Sequence, residues 1–252
     1  MIIDAHMHFN HKIPILKDSI KNLADELKIN NIERALVLHL ENQKWPYDEI
    51  SKELKNYPNI KTFFNIHPDD QNAFGKLKNA KENLGAIGLK LHPRLQNIKL
   101  TDKNFIKLIQ YAGEINLPVL IDAFPDGSDL INGFNLMQYV DLAKSATQTK
   151  MIWAHMGGHH AIDFAFAAKR LENVYLDISF SIYYYIGSPV VDSILYAIKN
   201  LGYNKIFFGS DYPDKNPSEV LKIVNNLFEK HEVSKEDQNK IMYANAKDFF
   251  KW

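Results

Sequence analysis

Eight short runs of apolar and β-branched residues recur along the chain at intervals of roughly 30 residues, each followed by turn chemistry and an amphipathic stretch. They lie near Ile2–Ala5, Ala35–Leu40, Ile60–Ile66, Ala86–Leu91, Val119–Ile121, Met151–Ala154, Val174–Ile178 and Ile206–Gly209. Between them fall helical patterns such as Asp18–Lys28, Asp102–Ile115, Asn135–Ala146 and Pro217–Phe228. Asp102 after Thr101 and Ser218 after Pro217 are suited to starting helices. Nearly continuous apolar strands alternating with helices imply a parallel sheet covered on its faces. Eight units in 252 residues match a (β/α)8 TIM barrel in both count and length. A doubly wound open sheet is the alternative, but it would carry a glycine-rich phosphate turn after an early strand, and none is found. Ser234–Trp252 reads as an extra C-terminal helix outside the eight units. No linker or low-complexity tract divides the chain, so a single domain over 1–252 is expected.

Apolar residues at 46% allow a substantial core, and Lys plus Arg balances Asp plus Glu at 30 each. A chain without a global field has no bias toward nucleic acid or an anionic membrane. There is no cysteine, so any metal must be held by nitrogen and oxygen. No apolar run approaches the roughly 18–20 residues of a membrane span. A motif already at residue 6 leaves no room for a cleaved signal, and a cytoplasmic location is expected.

In a barrel, chemistry gathers at the carboxyl ends of the strands. The first run leads into His6-Met7-His8, and alternation along a strand puts Asp4, His6 and His8 on one face, where two imidazoles can share one ion. The fourth run ends in Lys90-Leu91-His92-Pro93-Arg94, the fifth in Asp122, the sixth in His155 before Gly157-Gly158. The seventh ends in Asp177 and Ser179, the eighth in Ser210-Asp211-Tyr212-Pro213. His39 and His67 close the second and third; with no fixed spacing behind them they read as structural or loop histidines. His159 and His160 read as the start of a helix, His11 and His231 as surface residues. Tyr183-Tyr184-Tyr185, Trp45 and Tyr47 fit packing and pocket-lining equally. Lys90 inside a barrel is costly unless paired, so an ion pair or a function must explain it.

Five segments in order resemble the amidohydrolase superfamily, specifically the amidohydrolase-related branch that includes decarboxylases of the aminocarboxymuconate-semialdehyde type. They are Ile3-Asp4-Ala5-His6-Met7-His8, Gly88-Leu89-Lys90-Leu91-His92-Pro93, Ala154-His155-Met156-Gly157-Gly158, Tyr175-Leu176-Asp177-Ile178-Ser179 and Phe208-Gly209-Ser210-Asp211-Tyr212-Pro213. Asn245-Ala246 before Phe249-Phe250 extends the likeness to the C-terminus. The resemblance implies a distorted barrel with a divalent metal at its mouth. His6 and His8 would be ligands, and Asp211 a ligand that also moves protons. His155 would be a ligand in two-metal members, or an acid and electrophile in one-metal members. The family's histidine on the fifth strand is replaced here by Asp122, so His6, His8, Asp122 and Asp211 are the expected ligands of a single ion. Lys90 could be carboxylated to bridge two metals, but loss of that histidine favours one.

The expected chemistry is a metal-activated water attacking a small amide, ester or lactone, with Asp211 as base and His155 at the oxyanion. Zinc is the first choice of ion, with manganese or iron as alternatives. Lys90, His92 and Arg94 would hold a substrate carboxylate, and Phe124, Tyr212 and Trp45 would form apolar walls. Non-oxidative decarboxylation of an aromatic or unsaturated acid is the rival reaction. A metal-independent lactonase, or a barrel that only binds a ligand, is the third reading. The expected partner is a small molecule; the oligomeric state is open, a homodimer included.

Overall fold

In the computed structural model, which describes residues 1–40, 43, 45–131 and 133–252, the eight runs become eight parallel strands. These are β1 (Ile3–Met7), β2 (Arg34–Leu38), β3 (Ile60–Asn65), β4 (Ala86–Leu91), β5 (Val119–Ile121), β6 (Met151–Trp153), β7 (Val174–Asp177) and β8 (Ile206–Phe207). They pair in chain order. Beyond β8 the chain returns to β1: Ala5 N donates to Phe208 O at 2.8 Å and Asp211 N to His6 O at 2.9 Å. With a helix outside each strand, this is a (β/α)8 barrel. Among the described residues no helix is long and apolar enough to cross a membrane.

Alternation along each strand sorts side chains into two layers. Ile3, Leu36, Phe63, Leu120, Ile152 and Phe207 fill the interior, while residues of opposite parity, such as Ala35, Val37, Val119 and Ile121, join the core beneath the helices. Each large aliphatic side chain buried this way contributes about 1.5–3 kcal/mol. Gly88 is required by this layering, because a Cβ there would come within 2.2 Å of the Phe63 ring.

One departure from simple alternation decides the site. Asp4 pairs with Ala35, but Met7 pairs with Val37, so β1 carries one extra residue between them. Asp4 and Met7 therefore both point away from the axis, and His6 and His8 turn inward. The shared face expected for Asp4, His6 and His8 does not form; the bulge removes Asp4 from it. The Asp4 carboxylate instead accepts from His6 N at 3.1 Å and Ser210 N at 3.0 Å, tying the bulge to the end of β8.

The tail is helical over 235–250, with one widened stretch inside it. Lys235–Asn239 and Asn245–Phe250 flank a wider turn at Lys240–Ala244. Tertiary docking sets the last turn: the Asn245 amide donates to Tyr203 O at 2.6 Å and Ile206 O at 2.8 Å. Phe249 and Phe250 then pack under the interior layer and close the barrel at its amino end. Of the two helix starts expected, one is displaced and one keeps its position. Asn216, not Ser218, caps its helix by accepting from Ser218 N at 2.8 Å. Asp102 holds the cap position, but its carboxylate takes Lys99 N at 2.9 Å.

Candidate active site

At the carboxyl ends of the strands, His6, His8, Lys90, His92, Asp122, His155 and Asp211 line one cavity of about 620 Å³. They fall into two groups.

The first comes from β1 and the segment after β8. His6 Nδ1 faces Asp177 Oδ2 at 3.0 Å, and His8 Nδ1 donates to Leu38 O at 2.9 Å. A carbonyl only accepts, so His8 Nδ1 carries a proton and its Nε2 is turned toward Asp211. Burial pushes the His6 pKa to about 4 against the pull of Asp177, whose own pKa stays at about 2, lowered by His6 despite burial. His6 is thus neutral at pH 7, with its proton directed to Asp177 and a bare Nε2. That nitrogen is buried without a hydrogen bond, 3.3 Å from Asp211 Oδ1; His8 Nε2 is 3.5 Å from the same oxygen. Burial works against the Asp211 charge, but its imidazole neighbours hold the carboxyl well below the usual range. Two imidazole nitrogens and an anionic carboxylate oxygen therefore converge. Such donors suit a divalent cation, and ligand atoms of His6, His8 and Asp211 all lie within 4.8 Å of one another. Asp177 and Leu38 O supply the outer contacts that fix each ring's tautomer.

The second group comes from β4, β5 and β6. Asp122 Oδ2 is 3.1 Å from His155 Nε2 and 3.3 Å from His92 Nε2. His155 Nδ1 faces Ser179 O at 3.0 Å, so both ring nitrogens meet acceptors. Burial opposes the charged ring, yet the hydrogen bond and charge of Asp122 raise its pKa to about 9, leaving an imidazolium at pH 7. Asp122 is held well below the carboxylate range, burial being overcome by His92 and His155. The Lys90 side chain is buried at 1% exposure and has no hydrogen bond or ion pair among the described residues. Burial pushes its pKa down, against the pull of Asp122, Asp177 and Asp211.

His155 owes its position to a run of left-handed backbone, with φ of 63°, 49°, 69° and 58° from His155 to Gly158. A Cβ on Gly157 would come within 2.3 Å of Phe164, so the glycine serves both the turn and the close approach. His155 and Met156 bear the strain; His155 N donating to Asp177 Oδ1 at 3.1 Å helps offset it. The residues that follow are placed as a helix start, with His160 at the cap and the helix running Ala161–Arg170.

Phe124 lines the cavity with Phe180 and Tyr184, their rings 4.8 and 5.2 Å from that of Phe124. Arg94 reaches the rim, but its guanidinium is engaged by Asp126 at 2.8 Å and Asp129 at 3.4 Å. Tyr212 is not brought to the cavity: its ring is buried in the outer core and its hydroxyl donates to Asn22. Trp45 packs edge-on against Phe9. His39 is buried against Tyr47 and Phe64, and His67 bonds Gln96 O at 3.0 Å in its loop. Of the tyrosine triplet, Tyr184 reaches the cavity, while Tyr183 donates to Glu219 and Tyr185 lies 3.2 Å from His159 Nδ1. His11 stands at the cavity rim with Lys12.

Asp177 was absent from the residues singled out for catalysis or binding, although it orients His6 and, through its other oxygen, His155. The signal was its place with Ser179 at a strand end, facing the interior like its neighbour Phe207 in β8. Phe180 and Leu40 were also missed, and neither carries a sequence signal beyond being apolar near a strand end.

The family model described as amidohydrolase matches residues 3–252. A search of curated proteins finds no match. Among solved structures, a probable 2-pyrone-4,6-dicarboxylic acid hydrolase from Acinetobacter baumannii with citric acid bound is similar at 17% identity and TM-score 0.71, covering 100% of this chain and 99% of that one. An amidohydrolase from Burkholderia multivorans with bound zinc is similar at 13% identity and TM-score 0.72, covering 100% and 99%. A 5-carboxyvanillate decarboxylase from Novosphingobium aromaticivorans, complexed with manganese and 4-hydroxy-3-methoxy-5-nitrobenzoic acid, is similar at 12% identity and TM-score 0.72, covering 100% and 96%. At these identities the likeness to each is one of fold.

Proposed function

The chain belongs to the amidohydrolase family, and from that premise we propose that it is a metal-dependent hydrolase of a small ester, lactone or amide that carries a carboxylate. One observation carries the reading: His6 Nε2, buried without a hydrogen bond, and His8 Nε2 lie 3.3 and 3.5 Å from the same Asp211 Oδ1, close enough to share one ion. These residues would hold one divalent ion. When bound, it would polarise a carbonyl and bring the pKa of a water from about 15.7 toward 7.

The remaining steps belong to the chain. Asp211, ionised at neutral pH, takes the proton of the attacking water and returns it to the leaving group. His155, held as an imidazolium by Asp122 and Ser179, sets a fixed positive charge beside the reacting centre, its ring 4.8 Å from that of His6. Lys90 Nζ takes the substrate's carboxylate, with His92 beside it and Arg94 at the rim. Phe124, Phe180 and Tyr184 form the wall against which a planar group packs. That wall also accommodates an aromatic acid, so decarboxylation is the second reading.

The test is a panel of carboxylate-bearing lactones, esters, amides and aromatic acids, assayed with metal-free, zinc-loaded and manganese-loaded protein. Metal-dependent products carrying one added water are expected. His6→Ala and Asp211→Ala should each lower turnover at least about 10³-fold with unchanged circular dichroism. Carbon dioxide release without added water would replace hydrolysis by decarboxylation. Full turnover by metal-free protein would reject the metal-dependent reading altogether.

A further inference from the structure

The fifth strand presents a carboxylate where an imidazole ligand was to be expected, and its surroundings say what the exchange achieves. Asp122 Oδ2 stands between two imidazoles, 3.1 Å from His155 Nε2 and 3.3 Å from His92 Nε2. Each ring's other nitrogen is committed. His155 Nδ1 faces Ser179 O at 3.0 Å, so it donates there. His92 Nδ1 accepts from Leu95 N at 3.4 Å, which leaves the His92 proton on Nε2. Both Nε2–H groups thus converge on one carboxylate oxygen. The carboxylate is itself fixed: Phe124 N donates to Oδ1 at 3.4 Å, and Tyr139 donates its hydroxyl proton to the Asp122 carbonyl at 2.9 Å. Among the described residues, Asp122 has no place in the groups of three or more whose ligand atoms cluster closely enough to share an ion.

We propose that Asp122 is a positioning residue rather than a metal ligand: its carboxylate draws His155 and His92 together through their Nε2–H groups and leaves Lys90 Nζ to meet the substrate's anionic group. An imidazole at this position would offer at most one acceptor to two donors, and none while bound to a metal. One of the two rings would then lose its partner and its orientation. With aspartate, the mouth of the barrel divides into a half that holds the ion, from β1 and the end of β8, and a half that holds the substrate, from β4 to β6. The placement of the two rings stands on geometry alone; its consequence for turnover rests on the hydrolase reading.

The experiment is proton–nitrogen NMR of the ¹⁵N-histidine-labelled protein, metal-free and then titrated with zinc. Two strongly downfield, exchange-protected imidazole N–H signals coupled to Nε2 are expected before zinc, and His92→Gln should remove one of them. On adding zinc, the signals of His6 and His8 should move while this pair stays. Asp122→Asn should bind zinc as tightly as wild type, lose both downfield signals and lower kcat by about 10–100-fold. Asp122→Glu should restore part of that loss. The proposal is overturned if zinc abolishes the pair in the wild type, or if Asp122→Asn loses zinc affinity by about tenfold or more. Should Asp122→Asn fail to fold, the wild-type titration decides alone. Should the wild type bind no zinc, the metal-dependent reading fails, while presence or absence of the pair in metal-free protein still decides the role of Asp122.

Discussion

His6 and His39 are both buried imidazoles, and burial pushes each to a pKa of about 4. They differ in what surrounds them. His6 has the Asp177 carboxylate behind it and Asp211 in front, whereas His39 packs against the rings of Tyr47 and Phe64. His39 is therefore neutral packing, and this gives it a pH signature. Its folded pKa lies below the unfolded value of about 6.5, so the unfolded chain binds the extra proton between pH 6.5 and 4. The contribution of neutral His39 to stability is complete above pH 6.5 and fades as pH falls toward 4, by on the order of 3 kcal/mol over the window. Denaturant titrations of wild type and His39→Phe at pH 7, 5 and 4 should show the wild type losing ground steadily relative to the variant. A stability difference that is constant with pH would contradict this. From sequence, the His6-Met7-His8 spacing set His6 apart from His39, which read as a structural or loop histidine. The pairing of His6 with Asp177 across the barrel, which the spacing did not disclose, joins residues 171 positions apart.

At the scale of elements, the sequence made the eight strands legible because their apolar runs are bounded by turn residues; β4 and β5 fall on the expected residues. What it did not disclose were local departures from regular geometry. The extra residue in β1, the left-handed run from His155 and the side-chain direction of Tyr212 each depend on partners distant in the chain. Yet two of these departures place the chemistry, since the bulge turns His6 inward and the left-handed run aims His155. The end of β8 adds a third constraint. A Cβ on Gly209 would lie 2.6 Å from the His6 Cβ and 3.0 Å from that of Ser179. Gly209→Ala should therefore displace His6 and lower metal affinity by about tenfold or more, measured by competition with a chromogenic chelator. Gly127→Ala, where an added Cβ meets nothing within 4 Å, should leave affinity unchanged. Wild-type affinity in Gly209→Ala would show that the ligand set tolerates movement of β1.

Across the whole molecule, the barrel brings together residues spread from position 6 to position 211 at one rim, while the C-terminal aromatic residues close the other end. Among the buried groups at that rim, the carboxylates of Asp122, Asp177 and Asp211 act on both the His155 imidazolium and Lys90. With Lys90 protonated, that leaves one negative charge in excess, and a single divalent cation reverses the sign. The site would then attract an anionic substrate although the chain's formal net charge is zero. The position of that cation decides the function of the site. Crystals of zinc-loaded protein, measured on both sides of the zinc absorption edge, locate it directly. One anomalous peak about 2.0–2.2 Å from His6 Nε2, His8 Nε2 and an Asp211 carboxylate oxygen, with Asp122 still on His155 and His92, is the predicted result. A peak bound elsewhere in the cavity, or none among these three residues at full zinc occupancy in solution, would contradict it.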